Sequence, residues 1–264
     1  MKNILLRLIL LVVLFFALWL GLSKIDWIEL LNVNYLTSKT QQKLGELILD
    51  QIKNSGEENH DPKVTLPLDS ILTGICISNT IDRSQIQLHV IKSEEVNAFA
   101  LPNHQLVIYS GLILETRNEA ELSGVICHEI AHMELDHVMK KLIKEVGISV
   151  LISTTTGNSG SNLMVNILKT MSSTAYDRDL ERDADIRAVD YLIRANIDPI
   201  PFARFLRRIP ESKSAIDQHL TWLSTHPDSE ERAAYIIEFV GEAYGEYQPV
   251  LSPDTWQNLQ HQLK

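Results

Sequence analysis

The chain has two cysteines in 264 residues, Cys76 and Cys127. None stands near the amino terminus, so a lipoprotein anchor is not expected. A disulfide would need the fold to bring those two thiols within reach, and nothing in the sequence argues that it does. An excess of positive charge is also missing, because 24 Lys and Arg stand against 34 Asp and Glu for a formal net charge of −10. With no basic face, nucleic acid is not an expected partner. Repeats and low-complexity tracts are absent. A single apolar run is long enough to cross a bilayer, Ile4 to Leu22, interrupted only by Arg7. At 1.5 Å per residue it measures about 28 Å, close to the hydrocarbon thickness of a membrane. Lys2 and Arg7 favour a cytoplasmic amino end, which puts the remainder on the extracytoplasmic, periplasm-like side. Gly21-Leu22-Ser23 makes a poor small-x-small cleavage site, so residues 1–23 are expected to be an uncleaved anchor rather than a signal peptide. Trp19 and Trp27 would bracket its exit as interfacial anchors.

What is present is one dense turn of chemistry, His128-Glu129-Ile130-Ala131-His132. Positions i and i+4 share a helix face, so His128 and His132 can close on one metal ion from the same side. Glu129 lies about 100° around the helix, where its carboxylate can reach a metal-activated water as general base without being a ligand. Asn118 with Glu121 reads as an N-cap with a capping-box partner, and Leu122, Val125, Ile126, Ile130 and Met133 form an apolar stripe. The bland alternative is a pair of surface or half-buried histidines salt-linked to Glu129 and Asp136. A third ligand must come from elsewhere. The metzincin solution is excluded, because Leu135 and Val138 stand where Gly and His would be required. A carboxylate from a later helix is the other common solution, and Glu181 in Tyr176-Asp177-Arg178-Asp179-Leu180-Glu181-Arg182-Asp183-Ala184-Asp185 is the best candidate. Glu181 and Asp185 share a helical face, so one can bind the ion while the other orients a ligand histidine. Taken alone, such a charge run is more often a solvated face.

Around this turn the chain reads as mainly helical with a few strands. Residues 37–53 form an amphipathic helix, 55–63 a solvated loop and 67–77 a buried helix. Gln85 to Lys92 alternates as a strand. Asn97 to Leu101 and Gln105 to Tyr109, joined by Pro102-Asn103-His104, form a hairpin leading to the metal helix. His89 and His104 read as structural or exposed. Residues 146–171 are apolar and β-branched before a Gly-Asn-Ser-Gly-Ser tip, suiting either a lid over the cleft or a surface that dips into a membrane interface. Helices are expected again after Asp185 as far as Asp198-Pro199, over 201–208, over 228–240 and from Ser252.

These motifs together, HEIAH, then ERDAD, then Ser224-Thr225-His226-Pro227 with Arg232, and Asn-Ala-Phe-Ala-Leu-Pro and Ser-Gly-Leu upstream, closely resemble the M48 metallopeptidases from about residue 90 to 240. The resemblance implies an α+β, mainly helical gluzincin (zincin-like) metalloprotease domain with a small antiparallel edge sheet, over 37–264 with 85–240 as catalytic core, behind the transmembrane anchor. It implies one Zn2+ per chain on His128, His132 and Glu181, with Glu129 as catalytic base and Asp185 supporting a ligand. His226 would steady the transition state or cap the metal in a latent form; its plainer reading is a turn histidine before a helix. Asn97, Ala98, Phe99 and Ala100 would form the edge to which a polypeptide substrate adds as a strand. Asp183, where Glu is common, and Cys127, where Ala is common, depart from the pattern without touching a ligand. The activity implied is endopeptidase cleavage of unfolded or misfolded envelope proteins. The alternative is a metal-containing adaptor or chaperone that docks such proteins without cutting them, though a docking module has no use for Glu129.

Overall fold

Short acceptor side chains mark several helix starts. The computed structural model describes residues 2–23, 38–155, 161–209, 221–241 and 246–264. Contacts divide the chain into two units, Met1–Lys39 and Thr40–Lys264. The first holds α1 (Lys2–Ser23), whose described side chains from Leu10 to Trp19 are exposed. Among the described residues no helix is long and apolar enough to cross a membrane, and Trp27 lies outside them.

The second unit begins within α2 (Ser38–Lys53), two residues into the helix, and continues with α3 (Pro62–Ser78). α3 begins five residues before the expected start at Pro67. Asp61 caps it by accepting from the Lys63 amide, Pro62 occupies the first turn where no amide hydrogen is needed, and Pro67 forgoes one internal bond. The expected loop before it is only partly solvated, because Glu58 bridges to Ile91 and Asn59 is buried. A short 3-10 turn, Arg83–Gln85, leads into β1 (Gln87–Ile91), followed by β2 (Ala98–Leu101) and β3 (Gln105–Tyr109). Asn103 and His104 take φ of 63° and 55°, closing the β2–β3 hairpin as expected. The sheet is mixed rather than antiparallel. Its order is β1-β3-β2, with β1 parallel to β3, because the chain leaves β1 for the far edge and returns through the hairpin into the middle. β2 is thereby an edge strand.

α4 (Ser110–Glu115) leads to α5 (Glu119–Glu134), which Asn118 caps through the Glu121 amide at 2.9 Å. Glu121 completes the turn differently from a capping box, accepting from the Arg117 amide and from Arg208. The helix does not present one apolar stripe; it is buried all round, histidines included. α9 (Arg178–Arg194), α10 (Ile200–Arg208), β2 and α3 all pack on it. Gly124 makes the α10 contact possible, since a Cβ there would overlap the Phe202 side chain. Gly124→Ala is therefore expected to destabilise the domain by about 1–3 kcal/mol by overpacking, read as a lower urea midpoint at unchanged slope.

After α5, Asp136 turns the chain in the left-handed region and α6 (His137–Val146) follows, then α7 (Ile148–Thr155) and α8 (Ser161–Ser173). The described parts of the apolar insert are thus helical, and all of its Gly-Asn-Ser-Gly-Ser tip except Ser161 lies outside the described residues. α11 (Thr221–Thr225) packs on α8, α12 (Ser229–Val240) on α10, and α13 (Pro253–Leu263) on α3. Cys76 and Cys127 are both buried and free.

Candidate metal centre

His128, His132, Glu181 and His226 converge at the centre of the domain, with one potential ligand atom from each lying within 4.8 Å of every other. His128 Nε2 is 3.0 Å from His132 Nε2, 3.6 Å from Glu181 Oε2 and 3.2 Å from His226 Nδ1. Glu181 Oε1 is 3.3 Å from His132 Nε2 and 2.8 Å from His226 Nδ1. A tetrahedron with bonds of about 2.1 Å has edges of about 3.4 Å, so these separations are those of ligands around one zinc-sized ion. Two imidazoles and a carboxylate are also the donor types zinc favours. The bland surface-histidine reading fails, as both α5 histidines have no exposed surface.

The far side of each ring is engaged. His128 Nδ1 is 2.9 Å from Asp185 Oδ1, the supporting contact expected of that aspartate. His132 Nδ1 is 3.1 Å from His137 Nδ1, a partner that sequence reasoning passed over although it follows His132 by only five positions. Both Nε2 atoms are thereby turned to the centre. Burial, with the neighbouring His128, pulls His132 down to about 4, so its imidazole is neutral at ordinary pH and its lone pair is available. Burial works against the Glu181 carboxylate, but His226 and Arg232 more than offset it and hold the carboxyl well below its usual range. Arg232 Nη1 lies 2.6 Å from Glu181 Oε2, while its Nε and Nη2 donate to the two oxygens of Asp185 at 2.7 Å each. Tyr235 also donates to Asp185.

Glu129 stands just outside the group, as its place on the helix implies. Its Oε2 accepts from the Ala100 amide at 3.0 Å and its Oε1 from the Trp222 indole at 3.1 Å, with His226 Nε2 3.5 Å away. Trp222 was not foreseen. It precedes His226 by four positions and stacks on its ring at 4.6 Å, while Tyr176 stacks on His132 at 4.1 Å. Of the expected substrate edge, Ala98 to Ala100 lie on the edge strand β2 with Asn97 just before it, but all except the half-buried Phe99 are buried, and the margin is partly engaged. Ala100 gives its amide to Glu129, and the Val96 carbonyl accepts from the Trp222 amide. His89 is tied to Glu58 and His104 is half-exposed, in agreement with their structural reading.

Such a centre, HExxH on one helix with a glutamate from a later one beside it, fits a metalloprotease domain. Residues 62–239 match the sequence profile of Peptidase family M48, and the chain belongs to that family. It is 22% identical over 207 residues to the β-barrel assembly-enhancing protease of Yersinia pestis, covering 73% of this chain and 42% of that one. It is 25% identical over 181 residues to the mitochondrial metalloendopeptidase OMA1 of Schizosaccharomyces pombe, covering 68% and 54% respectively. The metalloprotease LoiP of Escherichia coli is 26% identical over 166 residues, 61% of this chain and 65% of its own. The chain thus spans about half the length of the first two relatives. Family and geometry together support a single zinc ion in the buried group.

Proposed function

We propose that the protein is a zinc-dependent endopeptidase that cleaves unfolded or misfolded polypeptides in membrane or envelope quality control. The observation that carries this is the meeting of His128, His132 and Glu181 beside a glutamate that belongs to no ligand set. His128, His132 and Glu181 would hold the ion, which when bound supplies a Lewis acid for the peptide carbonyl and lowers the pKa of water toward about 7. Glu129, aimed by Ala100 and Trp222, takes the proton from the attacking water and returns it to the leaving amine. His226 Nε2 faces Glu129 and supports a second role, stabilising the developing oxyanion once its ring turns from the ligand group. Asp185 and His137 hold the ligand rings from behind.

Anchoring by α1, with the catalytic domain on the extracytoplasmic side, is part of this reading. It is supported by the nineteen-residue apolar run of the sequence, by Lys2 before it and Arg7 near its start, and by the exposed side chains of Leu10 to Trp19. Names of relatives in β-barrel assembly and in mitochondria agree with work at membranes.

Incubating the detergent-solubilised full chain with unfolded casein and zinc tests the activity. Fragments should form, a strong chelator should stop them, and added zinc should restore the rate to near its starting value. Capture of casein without fragmentation by the zinc-loaded protein would support the adaptor instead.

A further inference from the structure

One buried cation near the centre has no carboxylate beside it. Lys141 on α6 is 6% exposed; its Nζ donates to the Met171 carbonyl on α8 at 3.1 Å and lies 4.1 Å above the Tyr176 ring. Among the described residues no Asp or Glu oxygen comes within the 4.0 Å of an ion pair. An ammonium carries three donors, and a carbonyl and a ring face use two of them. Burial pulls the group down to about 8, so at neutral pH it is still mostly charged, and an acceptor brought to it would relieve that burial.

The ammonium lines a tight cleft of about 20 Å³, room for a water or the tip of one slender side chain, together with Phe99 and Ala100 of β2, Met171, Tyr176 and His226. Three of these walls touch the catalytic group. Ala100 holds Glu129, Tyr176 stacks on His132, and His226 lies among the ligand atoms. A peptide whose scissile carbonyl reaches the group therefore presents a neighbouring side chain to this cleft. The walls are largely apolar and close together, which suits a slender methylene stem and disfavours an aromatic ring. Lys141 supplies a cation for whatever tip that stem carries.

We propose that Lys141 is a specificity-determining residue and that the cleft takes an acidic side chain, Asp or Glu, from a substrate residue adjoining the cleaved bond. This rests on the endopeptidase reading. A charge-assisted hydrogen bond in a buried site is worth about a ten- to hundredfold preference over the neutral isostere.

Quenched fluorescent peptides identical except for Glu, Gln, Leu or Lys at the two positions flanking the cut, assayed with the zinc-loaded full chain, test it. The wild type should favour Glu over Gln by about tenfold or more in kcat/KM at one of the two positions. Lys141→Met, of similar length and without charge, should lose that preference while keeping the Leu peptide within a few fold, and Lys141→Glu should turn toward Lys. Equal rates for Glu and Gln in the wild type overturn the proposal. So does a uniform loss over all four peptides in Lys141→Met, which would make Lys141 only a strut between α6 and α8. Binding of the same peptides to zinc-loaded Glu129→Gln separates the two readings: selective binding of Glu by a protein whose wild type cuts nothing sinks the peptidase and leaves the cleft standing. Unselective binding by that variant sinks the cleft.

Discussion

Glu129→Gln should lower kcat by about 10²- to 10⁴-fold, the range a positioned acid–base group contributes, with the zinc content unchanged. The expectation follows from position. Glu129 is one residue from His128 and shares its helix, yet its two oxygens are spent on the Ala100 amide and the Trp222 indole rather than on the ligand group. A glutamine keeps shape and one acceptor and removes the basic oxygen. It also brings an NH2 against one of two buried donors, so a loss of about 1–3 kcal/mol of stability should accompany the loss of rate. Glutamine at 129 is thus a catalytic lesion with a modest structural one attached, and the two can be separated. kcat from a quenched peptide, bound zinc by elemental analysis and the urea midpoint would be measured on the same preparation. A variant that cuts within threefold of wild type would remove Glu129 from the chemistry. One that loses its zinc as well would place Glu129 among the ligands.

The part of this centre legible in the sequence is the part set by local geometry. The i,i+4 spacing puts His128 and His132 on one face of any helix, and Asn118 marks where that helix begins, whatever packs against it. Glu181 and Asp185 are a second i,i+4 pair, and the structure divides them as ligand-group member and ring support. The hairpin was legible for a similar reason, since Asn103 and His104 tolerate the left-handed turn between two alternating segments. What stayed hidden depends mostly on contacts far apart in the chain. Ser123, Glu119 and Glu121 look solvent-facing in a helical projection, yet bonds to the Glu119 carbonyl, the Val250 amide and Arg208 allow them to be buried. No stripe could therefore show that α5 is enclosed on every side. Tyr176 stacks on His132 across more than forty residues of intervening chain, with nothing at the position to advertise it, and Trp222, though only four residues from His226, reaches Glu129 from across the domain. The parallel pairing of β1 with β3 was equally invisible, because alternation reports a strand and not its neighbour.

Arg232→Met should destabilise the metal-free protein by about 3–5 kcal/mol, the usual consequence of stripping the counterion from a buried pair. Arg232 is 2% exposed and serves Asp185 through two bonds, Glu181 through one and the His226 carbonyl at 3.2 Å. Without it two carboxylates are left in a dry interior with imidazoles as their chief company. Zinc supplies positive charge at the same place, so the variant should be stabilised by the ion by more than the wild type is, and the gap between the two should shrink as zinc is raised. The acid limb gives an independent readout. In the metal-free wild type Asp185 and Glu181 are held below their ordinary 3.8 and 4.5, so they contribute stability that is present above those values and lost as pH falls through the folded ones. In Arg232→Met burial acts on Asp185 with its main opponent gone and on Glu181 with one of its two main opponents gone, so both carboxyls rise, and the contribution of Asp185 reverses sign while that of Glu181 shrinks as pH climbs through 4 to 6. His132, pulled to about 4, adds the wild-type slope to both proteins, so the difference between the two stability curves isolates the carboxylates. That difference should widen with pH from about 3 to 6, as measured by urea unfolding in the presence of chelator. Parallel curves less than 1 kcal/mol apart would mean that Arg232 balances neither carboxylate, and the electrostatic account of how Glu181 is kept ionised for the metal would have to be given up.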